Sequence, residues 1–299
     1  MVPGRIATPA RRRHDPANHQ EGFDRMPKIL SVASWNVEHF KSDPERIGRV
    51  IAFLAQQDPD VFGLYEVEGA DVYPALVRLM PGYTFQITEG PQTQEILVGV
   101  RRGLTAFITQ RVEFRSGTTH MRPGQLVTVS KNGKNYVLLF LHLASGIDPR
   151  GMGLRDDMIE RAIDFKKTLD AREGGAGKAR YVFLGDLNIM GMKYAFDRSI
   201  PADTELKRWD DLIRRRGMVR LPKTAEASWS NGSKSSIPPS NLDHVIATTN
   251  LKFRSFRTPG GGAATVSVRG WTSEPDAAAA DAWIARYSDH ALLYLEIVE

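Results

Sequence analysis

Cysteine is absent from the 299 residues, which excludes disulfides and any metal site built on thiolates. A metal held by this chain must therefore sit among carboxylates, amides and imidazoles, and oxygen donors favour magnesium, calcium or manganese. Long apolar runs are missing too. The longest, Tyr136 to Leu141, is too short to span a bilayer, and the N-terminus lacks the apolar centre of a secretory signal. A cytoplasmic protein without a membrane span is expected. Strong charge imbalance is also lacking. Residues 1–28 carry six basic residues against three acidic ones, +3 of the chain's net +5, so +2 is left for the other 271. Whole-chain basicity is thus poor ground for nucleic-acid binding, and local clusters have to carry that reading.

What remains is an ordinary globular composition, 41% hydrophobic and 25% charged, with material for a sizeable core. Residues 1–27 hold prolines, the basic triplet Arg11 to Arg13 and few large apolar side chains, and are expected to form a disordered tail. One domain is expected over 28–299, since no internal repeat and no linker divides it.

The chain is organised around ARYVFLGDLN, Ala179 to Asn188. Tyr181 to Leu184 suit a strand buried on both faces, Gly185 lets the backbone turn, and Asp186 and Asn188 then project to one side. Alone, this is a capped turn. Other strand-like runs end the same way. Lys28 to Asn36 leads into Asn36-Val37-Glu38, with alternation aiming Asn36 and Glu38 together, and Val61 to Tyr65 leads into Glu66-Val67-Glu68, again two acids on one face. Of these two acids Glu66 is preferred, because it lies nearer the buried strand. Tyr136 to Leu143 contains His142 and is paired through Asn132-Gly133 with Gln125 to Ser130 as a hairpin. Leu242 to Ile246 contains Asp243, and Asp289-His290 precede the last strand, Ala291 to Val298.

Helical patterns separate these strands. Asp43-Pro44 is an N-cap with proline at the first helical position, and Ile47, Val50, Ile51 and Leu54 then form one apolar face. A short helix is expected over Val72 to Met80, an amphipathic one carries Leu154, Met158, Ala162, Phe165 and Leu169, and another covers roughly Asp203 to Arg216. Gly174 to Gly177 lacks a following GKS or GKT and is a loop rather than a phosphate-binding P-loop.

Six segments, SWNVEHF (Ser34 to Phe40), LYEVEG (Leu64 to Gly69), LHLAS (Leu141 to Ser145), FLGDLN (Phe183 to Asn188), SNLDHV (Ser240 to Val245) and SDHALL (Ser288 to Leu293), together resemble the endonuclease/exonuclease/phosphatase (DNase I-like) superfamily, and stand in family order. The resemblance implies an α/β, four-layer sandwich of two packed mixed β-sheets flanked by helices, with the site where strand ends of both sheets meet. It implies a magnesium- or manganese-dependent phosphoesterase in which Glu66 is the principal metal ligand, with Asn36, Glu38 and Asp289 in or beside its shell. Asp243 would accept a hydrogen bond from His290, Asn188 would donate its amide to a phosphate oxygen, and His142 would face the phosphate. Either His290 or Asp186 would activate the attacking water. Two departures blur the subfamily: Tyr65 stands where many members have glutamine, and Asn241 near where many have arginine.

Three functions compete. A monomeric nuclease acting on DNA or RNA is favoured by basic stretches at Arg101-Arg102, Arg111, Arg115 and Arg122, at Arg214 to Arg216 with Arg220 and Lys223, and at Lys252, Arg254 and Arg257, with Trp209, Trp229 and Trp271 as stacking surfaces. A phosphatase acting on a phosphorylated small molecule or lipid head group fits the weak charge of the folded part. A catalytically dead binding module would have lost Glu66, Asp186 or His290, and all three are present.

Overall fold

In the computed structural model, which describes residues 26–90, 94–118 and 121–299, the strands are β1 (Lys28–Phe40), β2 (Val61–Val67), β3 (Tyr83–Ile87), β4 (Glu95–Arg101), β5 (Thr105–Arg111), β6 (Gly124–Lys131), β7 (Lys134–His142), β8 (Tyr181–Asp186), β9 (Met218–Arg220), β10 (Asp243–Thr248), β11 (Lys252–Phe253), β12 (Phe256–Arg257), β13 (Ala263–Ala264), β14 (Ser267–Arg269) and β15 (Leu292–Val298). The expected N-terminal tail lies outside the described residues as far as position 25. One sheet runs β11-β15-β1-β2-β4-β3, with β14 also on β15, and the other runs β5-β6-β7-β8-β10-β9. Both are mixed: β1 is parallel to β2 and antiparallel to β15, while β8 is parallel to β7 and antiparallel to β10.

The two sheets face each other over Val32, Val61 and Val98 from one and Val127, Leu138, Phe140, Val182 and Val245 from the other, all buried in a single cluster. Their outer faces are covered by helices. Ile47, Val50, Ile51 and Leu54 of the helix Pro44–Gln56 lie buried against the first sheet, as their spacing predicts, and Asp43 caps that helix by accepting from the Glu45 and Arg46 amides. Met158, Ile159, Ala162 and Ile163 of the helix Pro149–Arg172 cover the second sheet together with Leu206, Trp209 and Ile213 of the helix Ala202–Arg215. This is the expected four-layer arrangement. The β6–β7 hairpin turns at Asn132 and Gly133, both at positive φ (53° and 69°), with Lys131 opposite Lys134.

Register is what gathers the chemistry. His142 of β7 stands opposite Asp186 of β8, and Asp186 opposite Asp243 of β10, so three motif residues share one rung across three neighbouring strands. Gly185 makes room for this rung. Its φ is +144°, and a Cβ there would meet the Leu141 carbonyl oxygen at 1.9 Å and the Tyr65 hydroxyl at 2.7 Å.

Candidate active site

The rung at the end of the second sheet meets Asn36 of β1, Glu66 of β2 and the Ser288 to His290 segment that enters β15. Asp186 Oδ2 is the meeting point. It accepts from Asn36 Nδ2 at 2.9 Å, and lies 3.5 Å from His142 Nε2 and 3.8 Å from His290 Nε2. The same Asn36 amide donates to Glu66 Oε1 at 3.1 Å, so one NH2 group ties the acid of each sheet to the other. His290 Nδ1 is 2.8 Å from Asp243 Oδ2, and since an ionised carboxylate only accepts, Nδ1 carries the proton and Nε2 faces Asp186.

Simple alternation does not describe the strand ends. The β1–β2 register shifts between Asn36 and Phe40, where Glu38 and His39 have φ of 43° and 45°, and Glu66 itself has φ of 61°. These bulges turn side chains that alternation would have aimed together. Asn36 faces Asp186, but its Oδ1 accepts from the Glu38 amide at 3.0 Å, and the Glu38 carboxylate lies beside Asp289 and Arg46 instead. Glu66 reaches the site, and its Oε2 accepts from the His39 amide at 3.0 Å. Glu68 turns to an outer cluster, 2.6 Å from His39 Nδ1 and paired with Lys41. Asn188, at φ of 50°, donates its amide to Asp186 Oδ1 at 3.1 Å through the backbone and to the Leu143 carbonyl at 3.2 Å through its side chain. One of its two side-chain protons is therefore committed to holding the loop after β7. Asp289 Oδ2 accepts from Trp229 Nε1 at 2.7 Å.

Burial sets the protonation pattern. It pushes the Asp186 carboxyl well up from the ordinary carboxylate range, against the pull of His290. His290 is buried too, which opposes its charge, but the Asp243 and Asp186 carboxylates outweigh this and raise it, so that it is an imidazolium at neutral pH. His142 goes the other way. Burial first, then Arg122 and His290, hold it far below the usual imidazole value, and its Nδ1 has no protein partner. Burial and the neighbouring Asp289 raise Glu38. Two imidazoles thus sit beside one carboxylate in opposite charge states. Tyr65, which replaces the glutamine of many family members, is buried with its hydroxyl 2.9 Å from Ser34 Oγ and 3.3 Å from the Leu184 carbonyl, and its ring edge stands against His142. It pins the two sheets together behind the rung.

The residues present fit a hard divalent cation. Asp289 and Glu66 both act on Glu38 as like charges, an arrangement that a cation with oxygen ligands relieves, and Glu66 and Asp186 converge on a single amide. The compact ligand-type groups among the described residues, with ligand atoms within 4.8 Å of one another, are His39 with Glu66 and Glu68, and Asp186 with Asp243 and His290. The second is already joined by its own hydrogen bond, and in the first Lys41 occupies Glu68.

Arg122 is the site residue that motif reasoning missed. It is anchored by Nε to the Gln94 carbonyl at 2.7 Å, and its charge acts on Glu66, Asp186 and His142. The available signal was its place two residues before β6, at the sheet edge where antiparallel β7 ends in His142. The remaining basic stretches do not track a path to the site. Arg101 pairs with Asp58 and Asp60, Arg111 with Glu113, Arg214 with Asp211, Arg216 with Asp164, Arg220 with Asp210 and Arg254 with Glu296. Lys223 donates to Asn241 Oδ1 and the Asp243 carbonyl, next to the missing family arginine. Of the three tryptophans, Trp209 is core, Trp271 is partly buried against both core clusters of the first sheet, and Trp229 alone stands at the site.

A family model described as endonuclease/exonuclease/phosphatase matches residues 33–290. Among curated proteins, Bos taurus tyrosyl-DNA phosphodiesterase 2 is 25% identical over 237 residues, which cover 75% of this chain and 56% of the relative. The chain therefore spans little more than half of that protein. Truncated TDP2 of Caenorhabditis elegans superposes with a TM-score of 0.63 at 15% identity, over 90% of this chain and 97% of that one. A mannosyl-6-phosphatase of Bacteroides thetaiotaomicron does so with a TM-score of 0.57 at 14% identity, over 91% and 100%. At these identities the two structures speak to the fold.

Proposed function

Because the chain belongs to the endonuclease/exonuclease/phosphatase family, we propose that residues 28–299 form a metal-dependent phosphodiesterase acting on DNA, with magnesium or manganese as its ion. The observation that carries this is the junction at Asp186 Oδ2, where a carboxylate raised by burial meets an amide shared with Glu66, a neutral imidazole and a charged one. A base works best with a pKa near the operating pH, and a histidine held cationic cannot accept a proton. Asp186 is therefore the group that takes the proton of the attacking water. His290, oriented by Asp243, donates from Nε2 towards the phosphoryl oxygens, and His142 and the free Asn188 proton line the same hollow. Glu66, with Glu38, Asn36 and Asp289, would hold the ion, which neutralises charge on the phosphoryl oxygens and the leaving oxygen when bound.

DNA as the substrate rests on the curated relative and on a groove of about 790 Å3 beside the site, lined by Ile189, Trp229 and Leu242 among others, with mainly apolar walls suited to ring faces. The competing reading, a phosphatase for a small phosphorylated molecule, is favoured by one observation: the basic clusters are committed to intramolecular acids. Among the described residues no helix is long and apolar enough to cross a membrane.

Two measurements test the proposal. Metal-dependent release of product from an oligonucleotide, beside a panel of sugar and inositol phosphates, separates the two readings, and brisk phosphate release with an intact oligonucleotide would favour the phosphatase. The salt dependence of oligonucleotide binding is expected to be shallow, with a slope of about −0.7 per phosphate contact and few contacts, since the arginines of the basic clusters are largely paired with acids of the chain. Glu66→Gln is expected to raise the magnesium concentration for half-maximal activity by about tenfold or more. If Glu68→Gln did so instead, the assignment between these two acids would be reversed.

A further inference from the structure

Past Asn188 the chain makes an excursion whose neck is rigid and whose tip is bare. At the neck, Met192 and Ile200 form a two-way backbone bridge, with N to O distances of 2.7 and 2.8 Å, and the Lys193 amide donates to the Ile147 carbonyl at 2.6 Å. Gly191, at φ of +70°, passes so close to this bridge that a Cβ would lie 2.2 Å from the Ile200 carbonyl oxygen. A fully buried arginine, Arg155, accepts nothing and donates to the Gly191 carbonyl, while its partner Glu205 takes the Gly191 amide. Beyond the neck, residues 193–199 are all exposed. Two of them are aromatic: Phe196 is 89% exposed and Tyr194 45%, and their rings meet edge to face at 5.9 Å.

An excursion of that length with an over-determined neck and two aromatic rings held in water is built to present those rings. They are bracketed by cations, Lys193 on one side and Arg198 on the other, with Asp197 the one acid between them. Lys193 and Met190 also line a groove shared with Trp229, the partner of Asp289, and with Ile189 and Leu242, the chain neighbours of Asn188 and Asp243, so the base of the loop borders a groove beside the site. Exposed ring faces flanked by basic side chains are what unpaired bases and their phosphates recognise, whereas the bases of a duplex have no free faces to offer.

Resting on the phosphodiesterase reading above, we infer that the Lys193 to Arg198 loop is a stacking platform for single-stranded nucleic acid leaving the active-site groove. It acts on the strand beyond the scissile phosphate and touches no reacting atom.

The test is the double substitution Tyr194→Ala/Phe196→Ala in the full chain, which removes only exposed side chains. For a single-stranded oligonucleotide KM is expected to rise about tenfold, within the range lost when a stacked base loses its aromatic partner, with kcat unchanged. Tyr194→Phe/Phe196→Trp should keep the wild-type KM. Bis(p-nitrophenyl) phosphate, which has no strand to extend, should be hydrolysed equally by all three. Direct binding is measured separately, by fluorescence anisotropy of the labelled oligonucleotide with the platform intact or removed in an Asp186→Asn background. If the wild type cleaves no nucleic acid, the proposed function fails, while a platform-dependent anisotropy change still supports the loop. An unchanged KM and unchanged binding in the double variant, an equal loss on an abasic oligonucleotide, or a loss of sedimentation with anionic phospholipid vesicles in place of a loss of oligonucleotide binding would each overturn it.

Discussion

Asp186→Asn is expected to lower kcat by about a hundredfold or more, the scale of losing a positioned acid-base group, while the fold stays intact. Asparagine keeps the shape of a side chain that is 2% exposed and can still accept from Asn36 through its oxygen, but it cannot take a proton from water. The sign of the stability change follows from the direction of the pKa shift. Burial raises the folded-state value above the unfolded one, so the folded state binds more protons between the two, and stability is lost as pH rises through that window. Removing the charge removes that loss, and in metal-free buffer at neutral pH the variant should melt at or above the wild-type temperature. A pH–rate profile completes the test: the wild type should gain activity with pH on a limb lying above the ordinary carboxylate range, and the variant should lack it. Wild-type turnover in the variant would remove Asp186 from the mechanism and return the role of base to His290, whose substitution by alanine is expected to cost a similar factor.

The sequence carried the helix faces and the polar strand ends, for different reasons. Ile47, Val50, Ile51 and Leu54 declare a helix face because the helical repeat is local, and Asn132-Gly133 declares the β6–β7 hairpin because only a few residue types suit positive φ at both turn positions. Asp186, His142 and Asp243 each mark a strand end, but that they share one rung depends on pairing between strands more than 40 residues apart, which periodicity cannot see and of which the family resemblance implied only that strand ends of both sheets meet. Alternation misplaced the acids of β1 and β2 for a physical reason. It assumes an unbroken pleat, and the positive φ values at Glu38, His39 and Glu66 rotate the chain there. The arginine clusters misled in a related way, since the acids that occupy Arg101, Arg216 and Arg220 come from other segments and are invisible to a local charge count. The helix Ala277–Arg286 was not read although its signal is local, an Asp276 side chain capping an alanine-rich run. Two-residue strands such as β11 and β12 have no period to detect.

The largest stability effect is expected at Arg155, which is fully buried and holds the two loops that follow β7 and β8. Its Nε and Nη2 donate to Glu205 at 2.9 and 3.1 Å, its Nη1 to the Gly146 carbonyl at 2.6 Å and the Ala144 carbonyl at 3.3 Å, and its Nη2 also to the Gly191 carbonyl at 2.9 Å. Ala144 and Gly146 follow His142 at the end of β7, and Gly191 follows Asn188 at the end of β8, so one guanidinium fixes the spacing between the two loops. Arg155→Met keeps much of the volume but leaves the Glu205 carboxylate buried without its cation, and breaking a buried pair in this way costs about 3–5 kcal/mol. Replacing both partners, Arg155→Met with Glu205→Leu, removes the stranded charge and should recover a good part of that loss, leaving the three freed carbonyls and the Gly191 amide as the residual cost. Urea denaturation of the two single variants and the double variant measures the cycle. The double variant should also show a lower kcat at saturating substrate even where it is folded, because the loops carrying Asn188 and the segment after His142 are no longer tied to each other. A single-variant loss below about 1 kcal/mol would mean that water or a neighbouring cation replaces Arg155, and that the spacing of the catalytic loops is set by the strand pairing alone.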